Sequence, residues 1–305
     1  MLLDLNRADM WPGESPRPAP RGSSRAGRRP NPYWSAVLPF FNERAYLPAT
    51  LASLAAQTEA PRVILIDNGS TDGSAALALA ECARLGLDHL LVTERRPGKV
   101  AALAAGLALV DTPLVATCDA DTLYPAGYLA AARRVLARER TVAAGAFFAA
   151  RGADDETRAR AGRKIVATAR LLRRQCHTGG AGQAFRTDAL RAAGGFDTGR
   201  WGWVLEDHEV IHRVLHRGQA GATMGYAEDL WCSPSPRPRN RASIRWTAGE
   251  RLLYAVTAPV AGDWFFYRFL AMRLRKRKLT SERIRERPYQ GLGGVMGGAT
   301  ACPVC

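Results

Sequence analysis

The chain has 305 residues, 47% of them hydrophobic and 23% charged, which is ordinary for a globular protein and excludes a wholly disordered one. That length suits one large domain or two small ones, with a substantial core. Lysine and arginine outnumber acidic residues 43 to 28, a net charge of +15, which implies an anionic partner: nucleic acid, a phosphorylated substrate or an anionic membrane surface.

Residues 1–32 are rich in Pro, Arg, Gly and Ser and have few large apolar groups, so a disordered tail is predicted there. The chain start lacks a basic region followed by a long apolar stretch, so no secretory signal is expected. From Tyr33 onward strands and helices alternate. Ser35–Phe40 reads as a strand and 45–57 as a helix. Arg62–Ile66 and His89–Thr93 are the next strands, with helices over Ser74–Leu85 and Lys99–Val110. Leu114–Cys118 is a fourth strand and 126–138 a helix. Thr141–Ala149 reads as a fifth strand, Arg158–Arg174 as a basic amphipathic helix. The repeated strand–helix pattern with short polar connections predicts an α/β fold with a mostly parallel sheet and helices on both faces.

From Cys176 the texture changes. A glycine-rich stretch, His177 to Gly182, precedes a short helix and Gly194-Gly195-Phe196-Asp197. Leu205–His216 reads as a helix, and Ala222–Trp231 holds another strand. The expected organisation is a tail over 1–32, a catalytic-type domain over 33–240, a basic helical extension over 241–290 and a flexible end over 291–305. The six cysteines lie mostly in apolar segments and read as reduced core residues. Cys302-Pro303-Val304-Cys305 has no second ligand pair and reads as an incidental tail.

The chemistry-bearing residues gather at strand ends. The apolar run Leu114–Cys118 stops at Asp119-Ala120-Asp121, two carboxylates one residue apart. Paired hard oxygens suit Mg²⁺ or Mn²⁺, which take one or two carboxylates plus substrate phosphates. The first strand ends in Pro39-Phe40-Phe41-Asn42-Glu43 and the second in Asp67-Asn68-Gly69-Ser70-Thr71-Asp72. Each alone is ordinary turn chemistry. Together they outline a polar cleft at the strand C-termini, where open α/β sheets bind ligands. Pro97-Gly98-Lys99 opens a helix, a position suited to phosphate, although it lacks a Walker frame.

This ordered set, P-x-x-N-E, D-N-G-S-T-D, G-K, D-A-D, G-G-F and E-D, resembles the family 2 glycosyltransferases of GT-A fold, which use nucleotide-sugar donors. The resemblance runs from about Ser35 to Gly218. It implies a donor pocket built from Pro39, Asn42, Glu43, Asp67, Gly69, Ser70, Lys99, Asp119 and Ala120, with Asp67 reading the base. It implies a divalent metal, Mn²⁺ or Mg²⁺, on Asp121 with Asp119. It further implies that Asp207, paired with Glu206, accepts the proton of an acceptor hydroxyl, with inversion at the anomeric carbon. The bland alternative for Glu206-Asp207 is a pair of N-terminal helix acids. Glycan- or lipid-linked acceptors, and so cell-envelope polysaccharide chemistry, are expected from the same resemblance, in a cytoplasmic protein that touches the inner face of the membrane peripherally. A GT-A-fold sugar nucleotidyltransferase is a competing reading; Asn42-Glu43-Arg44 does not supply its Gly-rich loop. A non-catalytic basic scaffold is the third.

The sequence also departs from the family. No histidine follows the last core strand, where Asp229 to Arg237 reads Asp-Leu-Trp-Cys-Ser-Pro-Ser-Pro-Arg. Arg245-Trp246 lacks the Gln of the processive synthases' Q-x-x-R-W, so single-sugar transfer is expected. His208, His212 and His216 share one helix face at metal-compatible spacing, with zinc the minor reading. Leu252–Met272 is interrupted by Pro259, Gly262, Asp263 and Arg268 and fails as a membrane span. Its aromatic residues, followed by Arg273-Leu274-Arg275-Lys276-Arg277-Lys278, suit an anionic membrane surface better than nucleic acid, for which no motif accompanies the cluster.

Overall fold

The computed structural model describes residues 2–4, 32–172, 174–236 and 246–283. In chain order the first half comprises β1 (Leu2–Asp4), β2 (Trp34–Phe40), α1 (Leu47–Ala55), β3 (Arg62–Asp67), α2 (Ser74–Leu85), β4 (His89–Thr93), α3 (Lys99–Ala108), β5 (Leu114–Cys118), β6 (Thr122–Leu123) and α4 (Tyr128–Leu136). There follow β7 (Thr141–Gly145), β8 (Phe147–Phe148), α5 (Asp155–Leu171), β9 (Gly182–Arg186), α6 (Thr187–Ala192), α7 (Glu206–His216), β10 (Thr223–Gly225) and β11 (Trp231–Pro234). Last come α8 (Ala248–Trp264), a π-helical segment (Phe265–Leu270) and α9 (Ala271–Lys276).

The strands form an eight-stranded sheet in the order β1-β4-β3-β2-β5-β9-β7-β10. All neighbouring pairs are parallel except β9, which runs antiparallel to both β5 and β7. Strand order reverses at β2: β3 and β4 step away on one side and β5 lies on the other. This switch point opens a crevice at the strand C-termini. A small second sheet, β6-β11-β8, lies beside it.

The core follows from alternation along β2. Trp34, Ala36, Leu38 and Phe40 face one side, where they meet Leu47, Leu51 and Leu54 of α1 and Tyr128, Leu129 and Ala132 of α4. Val37, with Ile64 and Ile66 of β3, faces the other, against Val100, Leu103 and Leu107 of α3 and Val210, Ile211 and Val214 of α7. Apolar groups on both faces are what a strand covered twice requires. A third cluster joins α8, the π-helical segment and α9 to Trp201 and Val204.

Several expectations need correction. Thr141–Ala149 is two strands in different sheets, separated at Ala146; the strand expected within Ala222–Trp231 is present as β10. Continuous apolar character reports burial and is blind to a change of partner. β9 escaped the sequence reading altogether. Leu2–Asp4, placed in the disordered tail, pairs with Leu91–Thr93 at the sheet edge; residues 5–31 lie outside the described residues, as do 237–245, 284–305 and the Cys302–Cys305 pair. The other four cysteines, 82, 118, 176 and 232, are buried and free, as expected.

Of the aromatic residues assigned to a membrane interface, Tyr254, Phe265 and Phe266 are instead buried in the third cluster. Arg273, counted in the basic run, is buried and paired with Glu250. The helical extension thus packs on the sheet domain. Gly262 allows the approach: a Cβ there would lie 2.3 Å from the His212 ring.

Candidate active site

The donor-side residues sit at adjacent strand ends. Pro39 pairs across to Ile66, and Phe40 to Asp67. Asn42 takes a left-handed backbone conformation, φ 55°, which turns the chain after β2. Its N–H donates to Ser70 Oγ at 3.0 Å, and its Oδ1 accepts from the Thr71 N–H at 2.8 Å. Glu43 is buried, and its N–H donates to Ser74 Oγ at 2.9 Å. Asp67 is also buried and accepts from the Ser70 N–H at 2.9 Å, while Gly69 has φ 83°. The loops after β2 and β3 are thus cross-linked into one rim.

Asn68, which the sequence reading passed over as a turn residue, ties this rim to the next loop. Its Nδ2 donates to the carbonyls of Glu94 and Arg96, both at 2.8 Å, and its Oδ1 accepts from the Gly98 N–H at 2.8 Å. The turn that presents Lys99 is therefore fixed from β3. It is also fixed from the far end of the chain: the Val100 N–H donates to Ser281 Oγ at 3.2 Å. Gly98, the residue before α3, has no side chain to cap that helix, and Ser281 supplies the oxygen instead.

Lys99 is the hub of the cleft. Its Nζ lies 2.6 Å from Asp119 Oδ1 and 3.6 Å from Glu206 Oε1. Burial opposes its charge, but Asp119 and Glu206 more than compensate and raise the ammonium well above the usual lysine value. Asp119 is held at its backbone by Tyr124, whose hydroxyl accepts from the Asp119 N–H at 2.9 Å and donates to the Ala181 carbonyl at 2.6 Å. The Ala120 carbonyl accepts from Thr50 Oγ1 at 2.9 Å. Asp121 is 2% exposed, and Ser235 Oγ donates to its Oδ2 at 2.7 Å. Ser235 stands in the stretch where a histidine was missed.

Glu206 and Asp207 open α7, preceded by Leu205 in a left-handed conformation, φ 66°. A branched residue held there marks a chain forced into place by its surroundings. Asp207 Oδ2 accepts from the Gly180 N–H at 2.6 Å; its Oδ1 accepts from the His208 N–H at 2.8 Å and lies 3.0 Å from His208 Nδ1. Gly180 has to be glycine, since a Cβ would come within 2.9 Å of Asp207 Cβ. The glycine-rich stretch from His177 to Gly182 therefore packs directly on the acid.

Burial would raise the Asp207 carboxyl, yet His208 and Lys99 hold it down at about 2. For Glu206 burial prevails over Lys99, and the Asp207 charge adds to it, so its carboxyl lies above the usual value. Two adjacent acids are thus driven apart, a pattern typical of sites with divided roles.

The structure brings Lys99, Asp119, Glu206 and Asp207 into one cluster, with Asp121 two residues from Asp119. Glu43 and Asp67 stand along the same strand-end rim, joined to the cluster through Asn68. The histidine row does not converge. His212 Nε2 lies 2.8 Å from Asp263 Oδ1, His216 Nδ1 lies 2.9 Å from the His212 carbonyl, and His208 turns to Asp207. Among the described residues no group of three or more His, Cys, Asp or Glu side chains is arranged to hold a metal, so the zinc reading fails. Asp119, paired with Lys99, and Asp121, paired with Ser235, bring hard carboxylate oxygens together, of the type that could hold a Mg²⁺ or Mn²⁺ shared with substrate phosphates.

Residues 35–192 match the family model described as Glycosyl transferase family 2. The chain belongs to that family. An uncharacterised glycosyltransferase of Mycobacterium tuberculosis is 40% identical over 95 residues, which is 31% of this chain and 39% of that protein. The uncharacterised glycosyltransferase YaiP of Escherichia coli is 29% identical over 253 residues, 77% of this chain and 60% of that protein. An undecaprenyl-phosphate 4-deoxy-4-formamido-L-arabinose transferase of Aeromonas hydrophila is 38% identical over 96 residues, 30% of this chain and 29% of that protein. The chain thus spans less than two thirds of the length of these relatives. Among solved structures, the mannosyltransferase PcManGT of Pyrobaculum calidifontis, in complex with GDP-Man and Mn²⁺, matches with a TM-score of 0.59 at 23% identity. The match covers 81% of this chain and 75% of that one, and it supports the GT-A fold.

Proposed function

We propose that this protein transfers a single sugar from a nucleotide-diphosphate donor to a hydroxyl of a glycan- or lipid-linked acceptor, with inversion at the anomeric carbon. The observation that carries the reading is the convergence of Lys99, Asp119 and the Glu206-Asp207 pair, within 2.6–3.6 Å of the lysine for Asp119 and Glu206, at the switch point of the sheet. The structural neighbour PcManGT, a mannosyltransferase solved in complex with GDP-Man and Mn²⁺, is consistent with it. The undecaprenyl-phosphate transferase among the relatives favours a lipid-linked acceptor.

Pro39, Asn42, Glu43, Asp67, Gly69 and Ser70 form the wall for the nucleoside, with Asp67 facing the base. Lys99, Asp119 and Ala120 face the ribose and diphosphate. Asp121 and Asp119 would hold a divalent metal, which supplies Lewis-acid neutralisation of the charge on the departing diphosphate. Asp207 takes the acceptor proton as the acceptor oxygen bonds to the anomeric carbon. The bond from that carbon to the donor phosphate breaks, and its electron pair leaves with the nucleoside diphosphate. The Gly180 N–H keeps Asp207 in position, and Glu206, with its raised carboxyl, stands beside it against Lys99. His208 fixes the second carboxylate oxygen.

The test is calorimetric titration of UDP, GDP and dTDP, each with and without Mn²⁺, into wild type, Asp121→Ala and Asp207→Asn. One nucleotide binds wild type only with metal; Asp121→Ala loses that binding; Asp207→Asn keeps it and loses sugar transfer. Failure of folded wild type to bind any of them sinks the metal-dependent site.

A further inference from the structure

Where α8 turns its back on the protein it is apolar. Tyr254, Ala258 and Gly262 face inward, while Leu252, Val256, Val260 and Trp264 follow one another at four-residue intervals along the outer side. The first three are 64–86% exposed and Trp264 is 49% exposed, stacked on Phe269. Spacing of four keeps Leu252, Val256 and Val260 on one face of the helix, over roughly 12 Å at 1.5 Å per residue; Trp264 lies beyond the non-helical residue Ala261 that kinks α8 after Pro259. Isolated exposed apolar residues need no explanation, but a continuous row does. Met272, 52% exposed, extends it onto α9.

Beyond the row the surface becomes strongly basic: Arg268, Arg275, Lys276, Arg277 and Lys278 are all exposed. Glu250 pairs with Arg273 and caps α8 with Thr247; Asp263 pairs with Arg217 and His212. No helix among the described residues is long and apolar enough to cross a membrane, so this element lies on a surface if it meets one. An apolar face bordered by arginine and lysine is the pattern of a helix seated at the boundary of headgroups and acyl chains of an anionic bilayer.

The row also begins beside the candidate base. Trp246, just before α8, has its ring 5.1 Å from that of His208, and Tyr254 lies 6.1 Å from it. His208 in turn contacts Asp207.

We infer that the outer face of α8 and α9, Leu252, Val256, Val260 and Trp264 with the basic end at Arg275 and Lys276, docks the protein on an anionic phospholipid surface. This extends the reading of a lipid-linked acceptor and relocates the contact from Tyr254, Phe265 and Phe266, which are buried, to the aliphatic row and Trp264. Lipid charge attracts the basic end, and the row enters the acyl boundary.

The test is co-flotation of the full chain with vesicles of phosphatidylcholine and phosphatidylglycerol, against phosphatidylcholine alone, without donor or acceptor. The expected result is binding to the anionic vesicles only, weakened by added salt because screening shortens the reach of charge. Val256→Asp/Val260→Asp lowers the partition coefficient at least about tenfold, since each loses apolar burial and gains repulsion from anionic lipid. Arg275→Gln/Lys276→Gln lowers it several-fold. Circular dichroism and nucleotide titration confirm that both variants stay folded. Wild type that fails to float with anionic vesicles overturns the inference, as does a Val256→Asp/Val260→Asp chain that floats equally well. A wild-type dimer in sedimentation that the same variant dissociates also overturns it, because a second copy would then cover the face. Nucleotide binding is measured separately, so wild type that binds nucleotide but not anionic vesicles counts against this surface and leaves the transferase reading standing.

Discussion

Arg213→Met should destabilise the domain more than any other single truncation at the base of the site. Arg213 and Glu209 are each 1% exposed, one turn apart on α7. The guanidinium donates to Glu209 Oε1 at 2.7 Å and Oε2 at 2.9 Å, to the Ala193 carbonyl at 2.6 Å and to the Gly195 carbonyl at 2.7 Å. Tyr267 donates to the same Glu209 at 2.6 Å. Removing the cation strands a buried carboxylate, which costs about 3–5 kcal/mol. That is a large share of a typical stability of about 5–15 kcal/mol. At roughly 2–4 °C per kcal/mol, the melting temperature should fall by about 6–20 °C. Urea titration followed by far-UV circular dichroism measures it, with a lowered midpoint at unchanged slope. Glu209→Leu added to Arg213→Met should recover at least half of the loss, because no charge is then left unpaired. A single variant within about 1 kcal/mol of wild type would refute the reasoning, since a stranded buried charge costs several times that. So would a double variant as unstable as the single one.

Glu206→Gln should be more stable than wild type at neutral pH. The folded Glu206 carboxyl holds its proton to higher pH than an unfolded one, chiefly through burial, so ionising it costs stability as pH rises above the unfolded value of about 4.3. Thermal melts should show the gain near pH 7.5 and its disappearance near pH 4; a less stable variant at pH 7.5 contradicts the sign. Ser281→Ala removes the oxygen that caps α3 and should cost about 1 kcal/mol, with Ser281→Thr retaining most of it. An unchanged urea midpoint would show that the C-terminal segment does not support the Lys99 turn.

The sheet was readable where sequence and burial agree. β2, β3 and β5 are nearly continuous apolar runs because both their faces are covered, and each ends in a polar turn that marks its C-terminus. That is why Glu43, Asp67, Asp119 and Asp121 could be assigned to one edge before any coordinates. β9 was opaque because Gly182-Gln183-Ala184-Phe185-Arg186 has no branched residue and no alternation; its neighbours β5 and β7 impose the conformation. Asn68, Tyr124, Ser235 and Ser281 act through bonds to distant chain segments, 181 residues apart for Ser281 and Val100, and no local pattern reports such pairing. Tyr124 alone left a trace, standing five residues after Asp119. The aromatic segment misled for a different reason. Composition said that large rings were present, and only the helix period separates Tyr254 and Phe265, which are buried, from Leu252, Val256 and Val260, which are not.

The same physics bears on how the proposed reaction is timed. In the free protein Asp207 stays ionised at any working pH, because His208 and Lys99 offset its burial and hold it at about 2. A base that weak takes a hydroxyl proton poorly. Lys99, however, is shared with Asp119 and Glu206, and a donor diphosphate offers it a stronger anion. Drawing the ammonium toward the phosphates removes part of what stabilises the Asp207 anion, and the phosphate charge itself opposes that anion. Both changes raise Asp207 and make it a better base when the donor is in place. On this argument the lysine does two things with one charge: it keeps three carboxylates compatible in a crowded cleft before the donor arrives, and its redirection by the donor readies the acid at the head of α7. The Asp207→Asn variant, retaining nucleotide but not transfer, separates these roles, because it leaves the Lys99 contacts with Asp119 and Glu206 in place.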